Sequence, residues 1–252
     1  SQPKGKSGAS QNKKGCFIYG HCFVTLIMLI PAMTITGLKY VPVVVAQRMW
    51  IGKVSKLVMA REMVLLARNI VGEHKQLILL CDSWYPKGEV ARLVRIQHLD
   101  IICNARSDSA MFEMPVPKEK PGPGRPPKYG KQIKVDDFEL VPVPQTDYHV
   151  GVRTVQARIF GDKPITAIVT RQGEQESRRV FFCTNLEACN FFQQHPQKFS
   201  KRDAQAYIST NADFVPLAIY SLRWEIETSY LELKSFWAFR EYKVRSKDGI
   251  ER

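Results

Sequence analysis

The 252 residues, 44% of them hydrophobic, can fill the core of one large domain or of a core domain carrying an insertion, which excludes a wholly disordered chain. Thirty-seven Lys and Arg against twenty-four Asp and Glu leave a formal charge of +13. Such an excess attracts polyanions, nucleic acid first, or anionic membranes, and points to no particular small substrate. The six cysteines (Cys16, Cys22, Cys81, Cys103, Cys183, Cys189) show no C-x-x-C spacing, and four of them sit in apolar runs. They read as reduced thiols of a cytosolic protein, and no histidine joins them at zinc-finger intervals.

Residues 1–15 are Lys, Ser, Gly and Gln with almost nothing apolar, a loop or arm. Cys22–Ile30 and Tyr40–Ala46 are predicted strands covered on both faces. The uncharged stretch from Cys22 to Leu38, with Lys13 and Lys14 before it, also fits a secretory or membrane segment. Pro31 and Gly37 interrupt it, and its β-branched residues suit buried strands better. Lys53–Val71 repeats apolar residues at helical spacing, with Gly72 as its stop. Leu77–Cys81 is a short apolar strand ending at Asp82, followed by a Pro-Lys-Gly turn, a helix over Glu89–Gln97 and a strand over Asp100–Cys103. This strand and helix alternation is an α/β layout, and Asp82 stands where the strand runs out, the place at which open α/β sheets put their chemistry.

From about Ala110 to Pro196 Pro and Gly concentrate first, then β-like runs follow at Val152–Phe160, Ile165–Thr170 and Arg178–Thr184. This predicts a β-rich insertion with its own small core. The division expected is therefore residues 1–109, the first part of an α/β core, 110–200, the insertion, and 201–252, a closing helix. Trp84, Trp224 and Trp237 are read as packing aromatics, and the five histidines are given no role.

The closing helix holds Tyr220, Arg223, Glu227 and Lys234 in the spacing Y-x2-R-x3-E-x6-K. On a continuous α-helix these fall at about 0, 300, 340 and 320°, so a phenol, two cations and a carboxylate share one face. The match arises by chance about once in a thousand chains of this size. Alone, Asp82 reads as an ordinary strand-end or capping Asp, and Arg223 with Glu227 as a solvated ion pair at i, i+4.

The quartet resembles the YREK signature of bacterial cut-and-paste transposases of the insertion-sequence-4 group, and the resemblance runs along most of the chain. LILLCDSWYPKG is similar to the strand that delivers the second acid of the DDE triad, FFCTN at Phe181–Asn185 to the strand before the last helix, and GPGRPPKYG to a GRPxKYG segment of such proteins. The resemblance implies an RNase H-like mixed sheet with flanking helices, interrupted by the β-rich insertion. It implies Asp82 and Glu227 as metal-binding catalytic acids for Mg²⁺, with Mn²⁺ as a substitute. Tyr220, Arg223 and Lys234 would hold phosphates of the transposon end.

The partners implied are transposon-end and target DNA, with a homodimer when the protein is whole, no membrane, and a bacterial cytoplasm near the nucleoid. The first acid of the triad has no counterpart, because no Asp precedes Asp82. The opening strand is therefore expected upstream of Ser1, the chain being truncated at both ends, and hydrolysis by this chain alone should be absent or very weak. Glu62 and Glu73 are expected to face solvent. For a base-capping aromatic the insertion offers Phe138, Tyr148 or nothing, and Arg171, Arg178 and Arg179 line either a DNA-facing surface or the wet face of a hairpin. A rival reading is a DNA-binding remnant of a transposase without chemistry.

Overall fold

The computed structural model describes residues 21–35, 37–96, 99–116, 127–144, 146–189 and 214–236. Its strands are β1 (Cys22–Thr34), β2 (Gly37–Trp50), β3 (Ile78–Cys81), β4 (Asp100–Ala105), β5 (Met111–Phe112), β6 (Gln132–Ile133), β7 (Val141–Pro142), β8 (Tyr148–Ala157), β9 (Pro164–Gln172) and β10 (Arg178–Cys183). The α-helices are α1 (Lys56–Val71), α2 (Gly88–Ile96), α3 (Val215–Ser221) and α4 (Glu225–Phe236). The chain divides into two compact units. One holds Ser1–Ala32, Tyr40–Glu73 and Glu225–Arg252, the other Met33–Lys39 and His74–Trp224.

In the first unit β1 and β2 form a two-stranded sheet where the β-branched runs predict strands. Both strands outrun the prediction, since each is an edge and an edge tolerates the missing N–H of Pro31. The expected cover on both faces is not found. Val24 and Met49 are buried, but Ile30, Met33, Val41, Val43 and Val44 are exposed.

α1 begins where Ser55 caps it, its hydroxyl accepting the Leu57 N–H at 3.2 Å. It ends at Gly72, whose φ of 85° suits glycine and whose N–H donates to the Arg68 carbonyl at 2.9 Å. The buried residues Met59, Met63 and Ala67, with Ala60 and Val64, follow the i, i+4 stripe that the sequence shows. Glu62 faces outward as expected, ion-paired with Arg48 at 2.5 Å, and Glu73 is exposed. No helix of the described residues is long and apolar enough to cross a membrane.

The second unit is built on an eight-stranded mixed sheet in the order β3-β4-β10-β9-β8-β5-β6, with β7 also pairing β8. β3 and β4 are parallel, joined through α2, while β10 runs antiparallel to both β4 and β9. The boundary expected at residue 110 falls inside this one sheet. Val150 and Ile168 share a buried cluster with Val143, Phe181 and Phe214, the last from beyond the expected boundary at 200. The reason is β10, which hydrogen-bonds along both of its edges and fuses the meander β8-β9-β10 to the parallel pair.

Cross-strand partners share a face. One face carries Cys81, Cys103, Phe182 and Val155; here Phe160 meets Phe182 edge to face at 6.1 Å, and α2 packs on the Arg158–Phe160 turn. The other face carries Phe181, Ile168 and Val150, covered by Phe214 and the start of α3.

The segment Phe138–Leu140 crosses the first face directly over Gly151, where a β-carbon would come within 2.5 Å of the Glu139 carbonyl oxygen and 3.2 Å of the Phe138 Cβ. Backbone cannot give way there. Gly151→Ala is therefore expected to lower the unfolding free energy by about 1–3 kcal/mol, read from urea denaturation against the parent chain.

Candidate functional site

β3 delivers Asp82. Its register with β4 runs Ile78↔Asp100 to Cys81↔Cys103, so one further residue sets Asp82 beside Asn104, whose β10 partner is Phe181. Alternation turns Asp82 to the face opposite Cys81, the face covered by α3. The turn that follows is held by the carboxylate itself: Oδ1 accepts the Trp84 N–H at 2.9 Å, and the Asp82 carbonyl accepts the Tyr85 N–H at 3.3 Å. Asp82 is exposed, and among the described residues its Oδ2 accepts no hydrogen bond.

α3 and the 3-10 turn Leu222–Trp224 bring two members of the quartet to the same place. The Tyr220 ring stacks edge to face on Phe181 at 5.1 Å, above the Asp82, Asn104, Phe181 row. The Arg223 guanidinium lies 5.8 Å from the Tyr220 ring and 5.3 Å from the Trp224 ring. The Tyr220 phenol is pushed up to about 12, chiefly by burial, with Arg223 opposing the rise and the Cys81 and Asp82 groups adding to it. The Cys81 thiol is held well above its usual range by a hydrogen bond with Cys103 and by burial, and feels the same two charges. Asp82, Tyr220 and Arg223 thus form one electrostatic neighbourhood at the carboxyl ends of β3 and β4.

Glu227 and Lys234 belong to the other unit. Both are exposed on α4, Glu227 in its first turn and Lys234 in its last. They are seven residues apart and share one face of the helix. α4 is tied to β1 of its own unit through the Tyr230 hydroxyl, bonded to the Thr25 hydroxyl, while the buried Ser229 donates within the helix to the Glu225 carbonyl at 2.8 Å.

The single helical face expected for the quartet is therefore not continuous. Its derivation assumes 100° per residue throughout, whereas the 3-10 turn at Leu222–Trp224 separates Tyr220 from Glu227 and rotates the later positions by roughly 60°. Ser221 contributes to the break, its hydroxyl donating to the Ala218 carbonyl at 2.6 Å. Asn104, beside Asp82 in the register, carries no motif in the sequence. Its one signal there was a polar residue within IICNA, and the register that gives it meaning depends on which strands pair.

Several other expectations resolve in the same region. Trp84 and Trp224 are exposed rather than packed in a core, while Trp237 lies outside the described residues. Phe138 is buried and Tyr148 packs on the core cluster, so both aromatics proposed for base capping are engaged in packing. The described end of the GPGRPPKYG segment is folded onto the sheet: Tyr129 stacks on Phe112 at 4.7 Å, and Lys128 pairs with Asp162 at 3.2 Å.

Cys81, Cys103, Cys183 and Cys189 are buried free thiols. Cys183 and Cys189 lie 4.0 Å apart; the hydrogen bond from Cys189 holds the Cys183 thiol below its ordinary range, and the same bond raises Cys189. No protein-family model matches the sequence, and no curated protein matches it.

The raised phenol has a pH signature. Its folded value, about 12, lies above the ordinary 10.0, so the stability it contributes is complete below pH 10 and is lost as pH rises toward 12. Tyr220→Phe is expected to remove that part of the alkaline loss and one late phenolate titration, measured by absorbance during alkaline unfolding. Tyr40, pushed up to about 12 by burial, keeps its own late step.

Proposed function

We propose that this chain is the catalytic core of a cut-and-paste DNA transposase of the DDE kind, with an RNase H-like core, Asp82 and Glu227 as its metal-binding acids, and Tyr220, Arg223 and Lys234 as contacts to transposon-end phosphates. The observation that supports this best is the gathering of Asp82, Tyr220 and Arg223 at the carboxyl end of a parallel strand. Open α/β sheets present ligands there, and the three residues come from segments about 140 positions apart in the sequence. A charge of +13 suits a polyanionic partner.

Divalent ions fit this donor chemistry in part. The Asp82 carboxylate is exposed, keeps one oxygen uncommitted and is the hard oxygen ligand that Mg²⁺ or Mn²⁺ takes. Glu227 is a second exposed carboxylate, in the first turn of α4. When bound, a metal pair supplies an activated water and a stabilised leaving oxygen. What the chain's own residues contribute is orientation. The Asx turn through Trp84 fixes the Asp82 carboxylate, and Arg223 supplies a planar fork of donors for a phosphodiester, backed by the Tyr220 and Trp224 rings.

A second reading, DNA binding without hydrolysis, rests on the charge of +13, which suits a polyanion whether or not it is cut. Nicking of a DNA duplex with Mg²⁺ or Mn²⁺ separates the two. In the catalytic reading Asp82→Asn and Glu227→Gln each lower nicking by more than about 100-fold, the upper range for residues that only orient a metal ligand. Duplex binding is retained in both variants. Arg223→Gln instead weakens binding and reduces the slope of log affinity against log salt by about 0.9. Nicking that survives Asp82→Asn refutes the catalytic reading. Binding with no nicking at all selects the second, and a chain that binds no duplex removes both.

A further inference from the structure

On the face opposite Asp82, and beyond it toward the same end of the strands, the sheet holds a row of basic side chains that the proposed chemistry does not use. His149 on β8 is the register partner of Arg171 on β9, and Arg171 is the partner of Arg178 on β10. Directly opposed partners project to the same face, so one imidazole and two guanidinium groups stand side by side across three strands. Like charges in such positions destabilise a sheet, and a protein normally inserts an acid between them.

Only one end of the row is neutralised. Arg178 donates to the Val135 carbonyl at 2.9 Å and lies 3.5 Å from the Asp136 carboxylate. Arg171 takes part in none of the ion pairs of the described residues. Among the described residues its Nε and the Nδ1 of His149 are both shut away from solvent without a hydrogen-bond partner. A guanidinium nitrogen that has lost water and gained nothing is costly, and an acceptor that reached it on a shift of the side chain would relieve that cost.

The acceptor has to be an anion. A cavity of about 520 Å³ lies beyond Arg178, but Asp108, Asp136 and Glu176 line it and repel one, so the site is the row and not the cavity. A tetrahedral oxyanion matches what the row offers, since its oxygens can accept from the Arg171 fork and from the imidazole together while its charge relieves the Arg171–Arg178 repulsion.

From this we infer that His149 and Arg171, with Arg178 beside them, form a phosphate-binding site separate from the Asp82 site. Its source is either a phosphodiester of duplex DNA or free inorganic phosphate. The DNA source rests on the nucleic-acid reading above; the free-phosphate source does not.

Two measurements on the full chain and on Arg171→Gln test this. Thermal unfolding is followed with and without inorganic phosphate, and affinity for a short DNA duplex is followed against salt. Without any anion, Arg171→Gln should melt higher than the parent, because a repulsion has been removed. Phosphate should raise the melting temperature of the parent and leave the variant unmoved. If the site takes backbone phosphate, the variant's salt slope for the duplex falls by about 0.9, and Arg171→Lys, which keeps the charge, restores it. A phosphate shift lost in Arg171→Gln with an unchanged duplex slope assigns the site to the free anion.

If phosphate stabilises parent and variant alike and the duplex slope does not change, the proposal is overturned and the row is a solvated sheet end. Arg223→Gln keeps the two readings apart. A slope that responds to Arg223 but not to Arg171 sinks this site alone. A parent that binds no duplex sinks the nucleic-acid reading, while the phosphate arm still judges the site.

Discussion

The second unit depends on β10 finding a partner on each side. Its residues Val180–Cys183 bond to β4 and Arg178–Cys183 to β9, all antiparallel. Without that double pairing the parallel pair β3-β4 would be a two-stranded fragment with apolar side chains exposed, and the meander would be a separate hairpin sheet. With it, Phe181 and Phe182 point to opposite faces and each anchors a different layer, Tyr220 above one and Phe160 above the other. Six residues thus set both the continuity of the sheet and the floor on which Tyr220 rests.

That floor explains the electrostatics at the end of β3. Tyr220 is held against Phe181 and loses water, which accounts for most of the rise in its phenol, while the Asp82 and Arg223 charges act on it in opposite senses. The cationic row on the opposite face follows another logic, because there the repulsion between Arg171 and Arg178 is left partly uncompensated.

Much of this was legible in the residues, and the failures have common causes. The helical stripe of α1, its Ser55 and Gly72 ends, the strand ending at Asp82 and the helix after the Pro-Lys-Gly turn all depend on local spacing and capping, which a sequence states directly. Strand partnership is not local. The composition change near residue 110 suggested a separate body, whereas β10 returns some seventy positions later to pair with β4.

The same holds for the quartet. Tyr220 and Arg223 keep company with Asp82, as their grouping suggested, but a regular helical wheel cannot register the 3-10 turn caused in part by Ser221 bonding back to Ala218. Trp84 and Trp224 were read from side-chain type alone, and type does not reveal that each sits at a turn.

The four sheltered sulfurs carry a further consequence. Cys81, Cys103 and Cys183 stand on three adjacent strands, with Cys189 just beyond, and each is at most 7% accessible. An alkylating reagent added to the native protein cannot reach these four sulfurs, so their modification must wait for the layers to separate. The molecule therefore carries its own clock for opening: the order in which these sulfurs become reactive would report whether the parallel edge or the meander lets go first.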